Sequence, residues 1–318
     1  MEKSSMTALV CAHARARHDG WYKDVPVLRD PIARQLLTEE EMAGIDQYLL
    51  AGLPFLEPGF SGSAEEGLHR VVDRHLSPNP LGRAAFAETR LEAAVRLGVR
   101  QYLLLAAGFD AFAWRKPAWA APLRIIEIDH PATAAEKTAR VMRAMPEPVP
   151  NLWRVAADLT QPGWTDHLAA CPGFDAGQPS FASLLGFVYY ADRAALRDLL
   201  CRLAALQPPG GSLVFDYPMA PEETEGIEDG RPVRNAYRPD ARWQRQEAMA
   251  AAAGEPMVPG YGYRELEKLL ADCGYLLYEH LDPDEIMARH FQAHNEAYPQ
   301  HPIEPFGCVG FCLAVRHG

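Results

Sequence analysis

The chain has 318 residues, enough for one large domain or two small ones, and its 48% of hydrophobic residues is typical of a globular protein. Its 31 lysines and arginines against 42 aspartates and glutamates give a formal net charge of −11, so neither nucleic acid nor an anionic membrane surface is expected as a partner. No run approaches the roughly 20 apolar residues of a membrane-spanning helix.

Residues 1 to about 80 have the pattern of helices interrupted by proline- and glycine-rich stretches. One helical stretch begins at Pro31 and places Ile32, Leu36 and Leu37 at helical spacing. A segment of this length buries little apolar surface by itself. We therefore expect residues 1–80 to form a helical cap that packs over the rest of the chain and covers the substrate.

From Arg83 onwards, helical and strand-like segments alternate. The strand-like segments are short and almost entirely apolar, which is typical of strands buried on both faces. Repeated strand–helix units predict an α/β fold with a doubly wound, mostly parallel sheet. The predicted strands are 101–107, 124–129, 152–158, 179–186 and 212–216, and the predicted helices are 83–97, 131–145 and a leucine-rich one at 196–206.

The alternation breaks after Pro218. Residues 219–260 are rich in Glu, Pro, Gly and Arg, and are predicted to form a lid-like insertion in a main domain of residues 81–318. Its arginines are interpreted as a solvated face, which would bind an acidic substrate if it folded over the pocket. These arginines are Arg231, Arg234, Arg238, Arg242 and Arg245. A helix at 263–273 and strands at 275–281 and 307–315 are predicted to follow.

The six cysteines are scattered along the chain, mostly in apolar surroundings. Cys308 and Cys312 lie in the last predicted strand, without the accompanying His or Cys motif that a zinc site needs. Disulfide frameworks are usually denser and occur in shorter, secreted chains. We therefore predict buried thiols, no metal site and a reducing, cytoplasmic setting.

Acidic residues follow the ends of three predicted strands. Asp110 comes just after Ala107 and Gly108, Asp129 ends the second strand, and Asp158 ends the third. In doubly wound sheets a ligand binds beyond the carboxyl ends of the strands, and an acid after the second strand is placed to bind ribose hydroxyls. Asp129 or Asp158 alone is equally well explained as a helix cap or a turn residue. Their recurrence favours a nucleoside site that includes all five residues.

The sequence motifs that bind phosphate groups are missing. The first strand is followed by Ala-Ala-Gly-Phe-Asp-Ala instead of G-x-G-x-x-G, and no G-x-x-x-x-G-K-[S/T] occurs. A nucleoside site without a phosphate cradle fits S-adenosylmethionine (SAM) better than NAD or ATP.

Several long stretches run in order over almost the whole chain. The most specific is RAAFAETRLEAAVRLGVRQYLLLAAGFDAFAWR, and the others are SMTALVCAHARARH, DPIARQLL, RIIEIDHPATAAEK, FASLLGFVYYAD, GSLVFDYP and AAAGEPMVPGYGYRELEKLLADCGY. Together they resemble the leucine carboxyl methyltransferase-like family of class I SAM-dependent methyltransferases, most closely its bacterial subgroup. The resemblance implies a Rossmann-like, seven-stranded, mostly parallel sheet that an antiparallel final strand closes.

The resemblance also implies which residues hold SAM. By position, Arg83 matches the arginine that binds the methionine carboxylate, and Gly108 matches the glycine of the cofactor loop. Asp129 matches the acid that binds the ribose, and Asp158 with Leu159 matches the adenine contacts.

Three further positions complete the predicted cofactor site or depart from the family pattern. Arg15 lies where the family has a basic N-terminal residue that contacts the cofactor. Ala106 stands where many relatives have glycine, which implies a slightly displaced loop. Leu185 is a predicted cofactor contact, and it stands where the eukaryotic enzymes have an acid, so one polar contact of those enzymes is absent.

Two residues are candidates for catalysis. His130 follows the ribose acid, and Tyr190 follows the fourth strand, where a substrate would approach. Either one is also explained as structural, and of the adjacent Tyr189 and Tyr190 at most one should face the site. A carboxylate acceptor is ionised at neutral pH and needs no base, whereas a phenol with a pKa of about 10 gains from one.

The sequence therefore predicts a SAM-dependent O-methyltransferase that acts on a carboxylate or hydroxyl of a small molecule, such as a secondary metabolite. One alternative is a nucleotide-dependent oxidoreductase, which the missing dinucleotide motif disfavours. A second alternative is a non-catalytic nucleoside-binding protein.

Overall fold

The computed structural model describes residues 6–221 and 237–318, and the backbone of 227–228 and 231–232. Its centre is a sheet of seven strands: β1 (Gln101–Leu105), β2 (Arg124–Asp129), β3 (Leu152–Ala156), β4 (Ser180–Leu184), β5 (Ser212–Pro218), β6 (Tyr275–Leu281) and β7 (Val309–Arg316). The strand order is β3-β2-β1-β4-β5-β7-β6. Strands β1 to β5 are parallel, and β7 pairs antiparallel with both β5 and β6. The predicted sheet, including its antiparallel final strand, is confirmed.

The strands bury side chains on both faces of the sheet. All five residues of β1 are buried. Leu103 and Leu105 pack into one hydrophobic core, and Tyr102 and Leu104 pack into the core on the opposite face. This two-sided burial explains why the sequence shows nearly continuous apolar runs instead of alternation.

Helices cover the sheet. Those of eight or more residues are α1 (Met6–Trp21), α2 (Glu39–Leu56), α3 (Ala64–Val71), α4 (Pro78–Arg96), α5 (Pro131–Ala144), α6 (Arg193–Leu206), α7 (Ala241–Ala252) and α8 (Tyr263–Asp272). The shorter helical turns are Ala33–Leu36, Val72–Leu76, Phe112–Arg115, Ala118–Ala120, Trp164–Ala169, Pro283–Ile286, Met287–Phe291 and Gln292–Ala297.

Local signals in the sequence explain where several helices begin. Helix α2 starts with a capping box, in which the Thr38 hydroxyl accepts from the backbone N–H of Glu41 and the Glu41 carboxylate accepts from that of Thr38. Helix α5 has Pro131 at its first position, as predicted, because proline lacks the N–H that is unpaired there.

The N-terminal helices pack on the elements around the sheet and on one another. Leu36 and Leu37 share a small core with Phe109, which follows β1, and with Val141, which lies in α5. A second small core joins α1, α2, α3 and the helical turn after α3, with Met249 of α7 packed against it. The residues of the second core are Ala14, Ile45, Leu49, Leu56, Val71, Val72 and Leu76.

The arginines of the insertion do not share one solvated face. Arg238 forms an ion pair with Asp284, whereas Arg242 pairs with Asp240 and donates to backbone carbonyls that include that of Pro305. Helix α7 is anchored to the N-terminal helices, because Nη1 of Arg245 donates to the carbonyl of Leu56 at the end of α2, at 3.0 Å. Arg234 and the Arg231 side chain lie outside the described residues.

The prediction that the cysteines are buried free thiols is partly wrong. Cys11, Cys171, Cys308 and Cys312 are free thiols, and all but Cys11 are buried. Cys201 on α6 and Cys273 after α8, however, are joined by a disulfide. Two cysteines so far apart in sequence give no local signal, because only the packing of α8 against α6 brings them together.

Within the described ranges, no helix is both long and apolar enough to cross a membrane.

Candidate active site

A cavity of about 750 Å³ opens at the carboxyl ends of β1 to β4, the edge where ligands bind in doubly wound sheets. Helices α1 and α4 contribute to its wall. Every residue that the sequence analysis predicts for the site lines this cavity: Arg15, Arg83, Ala107, Gly108, Asp110, Asp129, His130, Asp158, Leu159, Leu185 and Tyr190.

The loop after β1 turns sharply along the cavity floor. Ala106 and Gly108 have φ values of 52° and 49°, in the left-handed region that favours glycine. A Cβ on Gly108 would lie 3.3 Å from the Cβ of Ala8, so a small residue is needed where α1 crosses the loop. Ala106 adopts this conformation although it carries a Cβ, so the loop turns tightly there without a glycine.

Asp129 ends β2 and binds the loop after β1. Its Oδ2 accepts from the backbone N–H of Gly108 at 2.5 Å, and its Oδ1 accepts from that of His130 at 2.7 Å. Burial raises the pKa of Asp129, and the two backbone hydrogen bonds oppose that rise. Each carboxylate oxygen has two lone pairs, so Asp129 retains acceptor capacity for a pair of hydroxyl groups on a ligand.

Asp158 and Leu159 follow β3. Oδ1 of Asp158 accepts from both the backbone N–H and the hydroxyl of Thr160, at 2.9 and 2.7 Å. Asp158 is therefore a turn residue as well as part of the cavity wall. The turn that the sequence suggested for Asp158 is thus compatible with a place at the predicted site. Leu159 is 5% exposed and adds an apolar surface.

Arg83 extends from α4 into the cavity wall. Its Nη1 donates to Oδ2 of Asp216 at 3.1 Å. Asp216 is fully buried in β5 and also accepts from the Gly186 N–H at 2.7 Å and the Tyr189 hydroxyl at 2.8 Å. Burial opposes the charge on Arg83, but the carboxylate of Asp216 outweighs it and raises the pKa of Arg83. The sequence analysis missed Asp216, although an acid near a strand end is the signal that identified Asp129.

Gly186 follows β4 and has a φ of 75°. A Cβ there would lie 2.5 Å from Nη1 of Arg83, too close for both groups to keep their places. We expect Gly186→Ala to lower the free energy of unfolding by about 1–3 kcal/mol. Because a Cβ there would displace Arg83, which the sequence analysis predicts to bind the carboxylate of SAM, we also expect the variant to bind SAM more weakly. Urea unfolding and calorimetry with SAM would measure the two effects.

Gly98→Ala is the matched control for this prediction. Gly98 has a φ of 102° and open space around its Cβ position. The control should lose stability but keep its affinity for SAM. If Gly186→Ala also kept the wild-type affinity, the contact between Gly186 and Arg83 would not matter for binding.

Arg15 joins the N-terminal part of the chain to the loop after β1. Its Nε donates to Oδ2 of Asp30 at 2.9 Å, and its Nη2 donates to the carbonyl of Phe109 at 2.7 Å. Burial raises the pKa of neighbouring Asp110, but the charges of Arg115 and Arg15 outweigh it and leave that pKa below its usual value. Arg15 thus supports the loop through buried ionic contacts.

The two candidate catalytic residues have different surroundings. Nδ1 of His130 accepts from the backbone N–H of Ala132 at 3.3 Å, so His130 caps α5 while it lines the cavity. Tyr190 lies in the turn after β4, and burial raises the pKa of its phenol. A phenol with a raised pKa stays protonated at neutral pH and is not a ready base.

A second cavity of about 720 Å³ adjoins the first, under α1, α2 and α7. Cys11, Arg83, Tyr190 and Glu255 line both cavities, so the two meet at these side chains. The remaining wall is mostly apolar and includes Leu9, Val10, Ile45, Leu49, Trp243, Met249, Met257 and Phe306. The sequence analysis did not identify Glu255, which accepts a hydrogen bond from the Thr7 hydroxyl.

Comparisons with known proteins identify the family to which this chain is similar. The leucine carboxyl methyltransferase family model matches residues 8–204. A Bacillus subtilis protein named as an S-adenosyl-L-methionine-dependent methyltransferase, YktD, is 36% identical over 289 residues, which cover 89% of this chain and 90% of that protein. A Mycobacterium marinum protein named as a methyltransferase with the same cofactor is 30% identical over 284 residues, 85% of this chain and 82% of its own.

Solved structures share the fold at low sequence identity. A DUF574 family protein from Streptomyces avermitilis superposes with a TM-score of 0.58 at 14% identity, over 98% of both chains. A protein from Thermobifida fusca described as a methyltransferase superposes with a TM-score of 0.50 at 14% identity, over 99% of this chain and 96% of its own. At such identities the likeness concerns the fold alone.

Proposed function

The chain belongs to the leucine carboxyl methyltransferase family and is a SAM-dependent methyltransferase, and we propose that it methylates an oxygen atom of a small, largely apolar molecule. The observation that carries the proposal is the pair of adjoining cavities, one at the strand ends and one under the N-terminal helices. Family membership sets aside the oxidoreductase and the non-catalytic binding protein, the two alternatives that the sequence left open.

The first cavity is the proposed cofactor site, and its donors and acceptors fit SAM. Asp129 would accept from the ribose hydroxyls, and Arg83 would donate to the methionine carboxylate. Asp158 and Leu159 would contact the adenine, and Gly108 would let the backbone approach the cofactor. When bound there, SAM supplies an electrophilic methyl group on a sulfonium, so the protein needs to orient the acceptor and exclude water.

Arg15, Ala107, Asp110 and Leu185 complete the proposed cofactor site. All four line the first cavity. Buried partners neutralise the charges of Arg15 and Asp110. We therefore propose that these two residues stabilise the conformation of the loop after β1 and also border the cofactor. Leu185 would add an apolar contact.

The second cavity is the proposed acceptor site. Its apolar wall favours an acceptor that is mostly hydrocarbon or aromatic, such as a secondary metabolite. We propose that residues 1–80 act as a cap over this site and that α7, within the 219–260 insertion, closes its opposite side. Enclosure by apolar walls would keep water away from the reacting atoms.

The surroundings of the candidate catalytic residues favour a carboxylate acceptor over a phenol. His130 already accepts a backbone hydrogen bond at Nδ1, and burial keeps Tyr190 protonated. A carboxylate is ionised without help from either residue. Tyr190, where the two cavities meet, would then donate a hydrogen bond that orients the acceptor oxygen.

A methyl-transfer assay tests the proposal. The enzyme is incubated with SAM labelled on the methyl group and a set of apolar acceptors that carry a carboxylate, a hydroxyl or an amine. Methyl esters release labelled methanol in alkali, whereas ethers and N-methyl products do not. Transfer to a carboxylate or hydroxyl supports the proposal, and transfer confined to the amine acceptors would contradict it.

Filling the second cavity tests its assignment to the acceptor. Gly44 of α2 lines this cavity, and a Cβ there would meet no heavy atom within 4 Å. We expect Gly44→Leu to keep the fold and the SAM affinity but to lower kcat/KM for the acceptor at least about ten-fold. Gly52→Ala on the same helix, where a Cβ would make an ordinary 3.8 Å contact with Leu56, is the control. Unchanged acceptor kinetics in Gly44→Leu would place the acceptor elsewhere.

A further inference from the structure

Three metal-ligating side chains meet on the cap, outside both cavities. They are His69, Asp73 and His301, whose candidate ligand atoms all lie within 4.8 Å of one another. His69 is in α3, Asp73 is in the helical turn that continues it, and His301 comes from the segment before β7. The cluster therefore joins the N-terminal helices to the C-terminal part of the chain.

The surroundings orient these side chains. His69 and Asp73 are four positions apart on consecutive helical turns, the spacing that places two side chains on one helix face. The His69 ring stacks on Trp21 with ring centroids 3.8 Å apart, and the Tyr22 hydroxyl donates to Oδ2 of Asp73 at 2.7 Å. Carboxylates that bind metals commonly accept an outer hydrogen bond like the one from Tyr22.

Two buried polar atoms of the cluster lack a hydrogen-bond partner among the described residues: Oδ1 of Asp73 and Nδ1 of His69. Asp73 is only 2% exposed, so water does not readily compensate for the missing partner. Buried polar atoms without partners are uncommon in native proteins, and a bound ion is one of the standard explanations. The unpartnered atoms belong to the same two side chains that would act as ligands.

We propose that His69, Asp73 and His301 form a binding site for a divalent transition-metal ion that clamps the cap to the C-terminal segment. Two imidazoles and one carboxylate suit zinc and its neighbours in the first transition row, whereas magnesium and calcium prefer all-oxygen ligands. Water would complete the coordination. The sequence analysis found no metal motif, because His301 is remote from the other two ligands in sequence.

The three candidate ligands need to move only slightly closer together to bind one ion. Ligands of a tetrahedral zinc ion lie about 3.4 Å apart, since each bond is about 2.0–2.1 Å long. Nδ1 of His301 is already 3.6 Å from Oδ2 of Asp73. The His301 side chain is 39% exposed and therefore has room to move towards the other two.

Titration of the metal-free protein tests the site. The full chain is treated with a chelator, dialysed and titrated with ZnCl₂ alone in a calorimeter, and CoCl₂ is used in parallel to read the ligand field from its visible absorption. We expect one equivalent of zinc to bind and to raise the thermal midpoint. Absence of stoichiometric binding to the wild-type chain would overturn the proposal.

Variants assign the ligands. His301→Gln and Asp73→Asn should each lower the zinc affinity at least about 100-fold, because loss of an outer contact alone costs 10- to 100-fold. His301 is partly exposed, so its variant keeps the test decisive even if Asp73→Asn fails to fold. His167→Gln, an exposed histidine outside the cluster, is the control and should bind as the wild type does. Wild-type zinc affinity and cobalt spectrum in His301→Gln would exclude this site.

Discussion

Replacing Asp129 with alanine is expected to weaken SAM binding at least about ten-fold while the chain still folds. The side chain accepts from Gly108 and His130 and faces the cavity that we propose for the cofactor. Its loss would remove the proposed ribose contacts and also free the loop after β1. Ten-fold corresponds to about 1.4 kcal/mol, a modest figure for charge-assisted hydrogen bonds.

Calorimetry with SAM measures this effect, and the thermal midpoint shows whether the fold survives. Asp175→Ala is a matched control. Oδ1 of Asp175 accepts from the backbone N–H of Gly177 at 2.9 Å, but the residue lies before β4, away from the cavity. The control should bind SAM as the wild type does. An unchanged affinity in Asp129→Ala, with the fold intact, would remove Asp129 from the cofactor site.

The second large effect is expected in Arg83→Lys. This variant should keep the fold but lose affinity selectively for ligands that carry a carboxylate. Lysine retains a positive charge beside the fully buried Asp216 but not the planar, two-pronged donor set of arginine. Alanine would leave Asp216 buried without a cation, at a cost of about 3–5 kcal/mol, which is why lysine is the informative change.

Two ligands separate binding of the carboxylate from binding of the nucleoside. Sinefungin keeps the amino-acid end of SAM, whereas adenosine lacks it. We expect Arg83→Lys to lower the affinity for sinefungin at least about ten-fold and to change that for adenosine by less than about two-fold. Arg90→Lys, on the same helix and paired with Glu279, is the control and should change neither. Equal losses for both ligands would argue against the proposed role of Arg83.

Features that depend on neighbouring residues were predictable from the sequence. The bounds of β2 and β6 match the predicted segments, because each is an unbroken strand-like run with turn residues on both sides. The strands β1, β3 and β4 end two residues earlier than predicted, because the predicted segments include the first residues of the loops that follow, and some of these residues line the cavity. The position of Asp129 in the wall of the first cavity was predictable for the same local reason, since its side chain stands at the carboxyl end of a parallel strand.

Contacts between distant segments were not predictable in this way. The pairing of Arg83 with Asp216, the meeting of the two cavities at Tyr190 and Glu255, and the cluster of His69, Asp73 and His301 join residues far apart in sequence.

The sequence by itself determined the order of helices and strands, the two-sided burial of the sheet and the edge at which the first cavity opens. These follow from hydrophobic periodicity and from strand ends, which neighbouring residues set. Only the tertiary structure decided which charges pair, which cysteines join and what encloses the second cavity. Those outcomes depend on how α1, α2 and α7 pack over the strand ends and α8 against α6, and packing is a property of the assembled core that no single segment encodes.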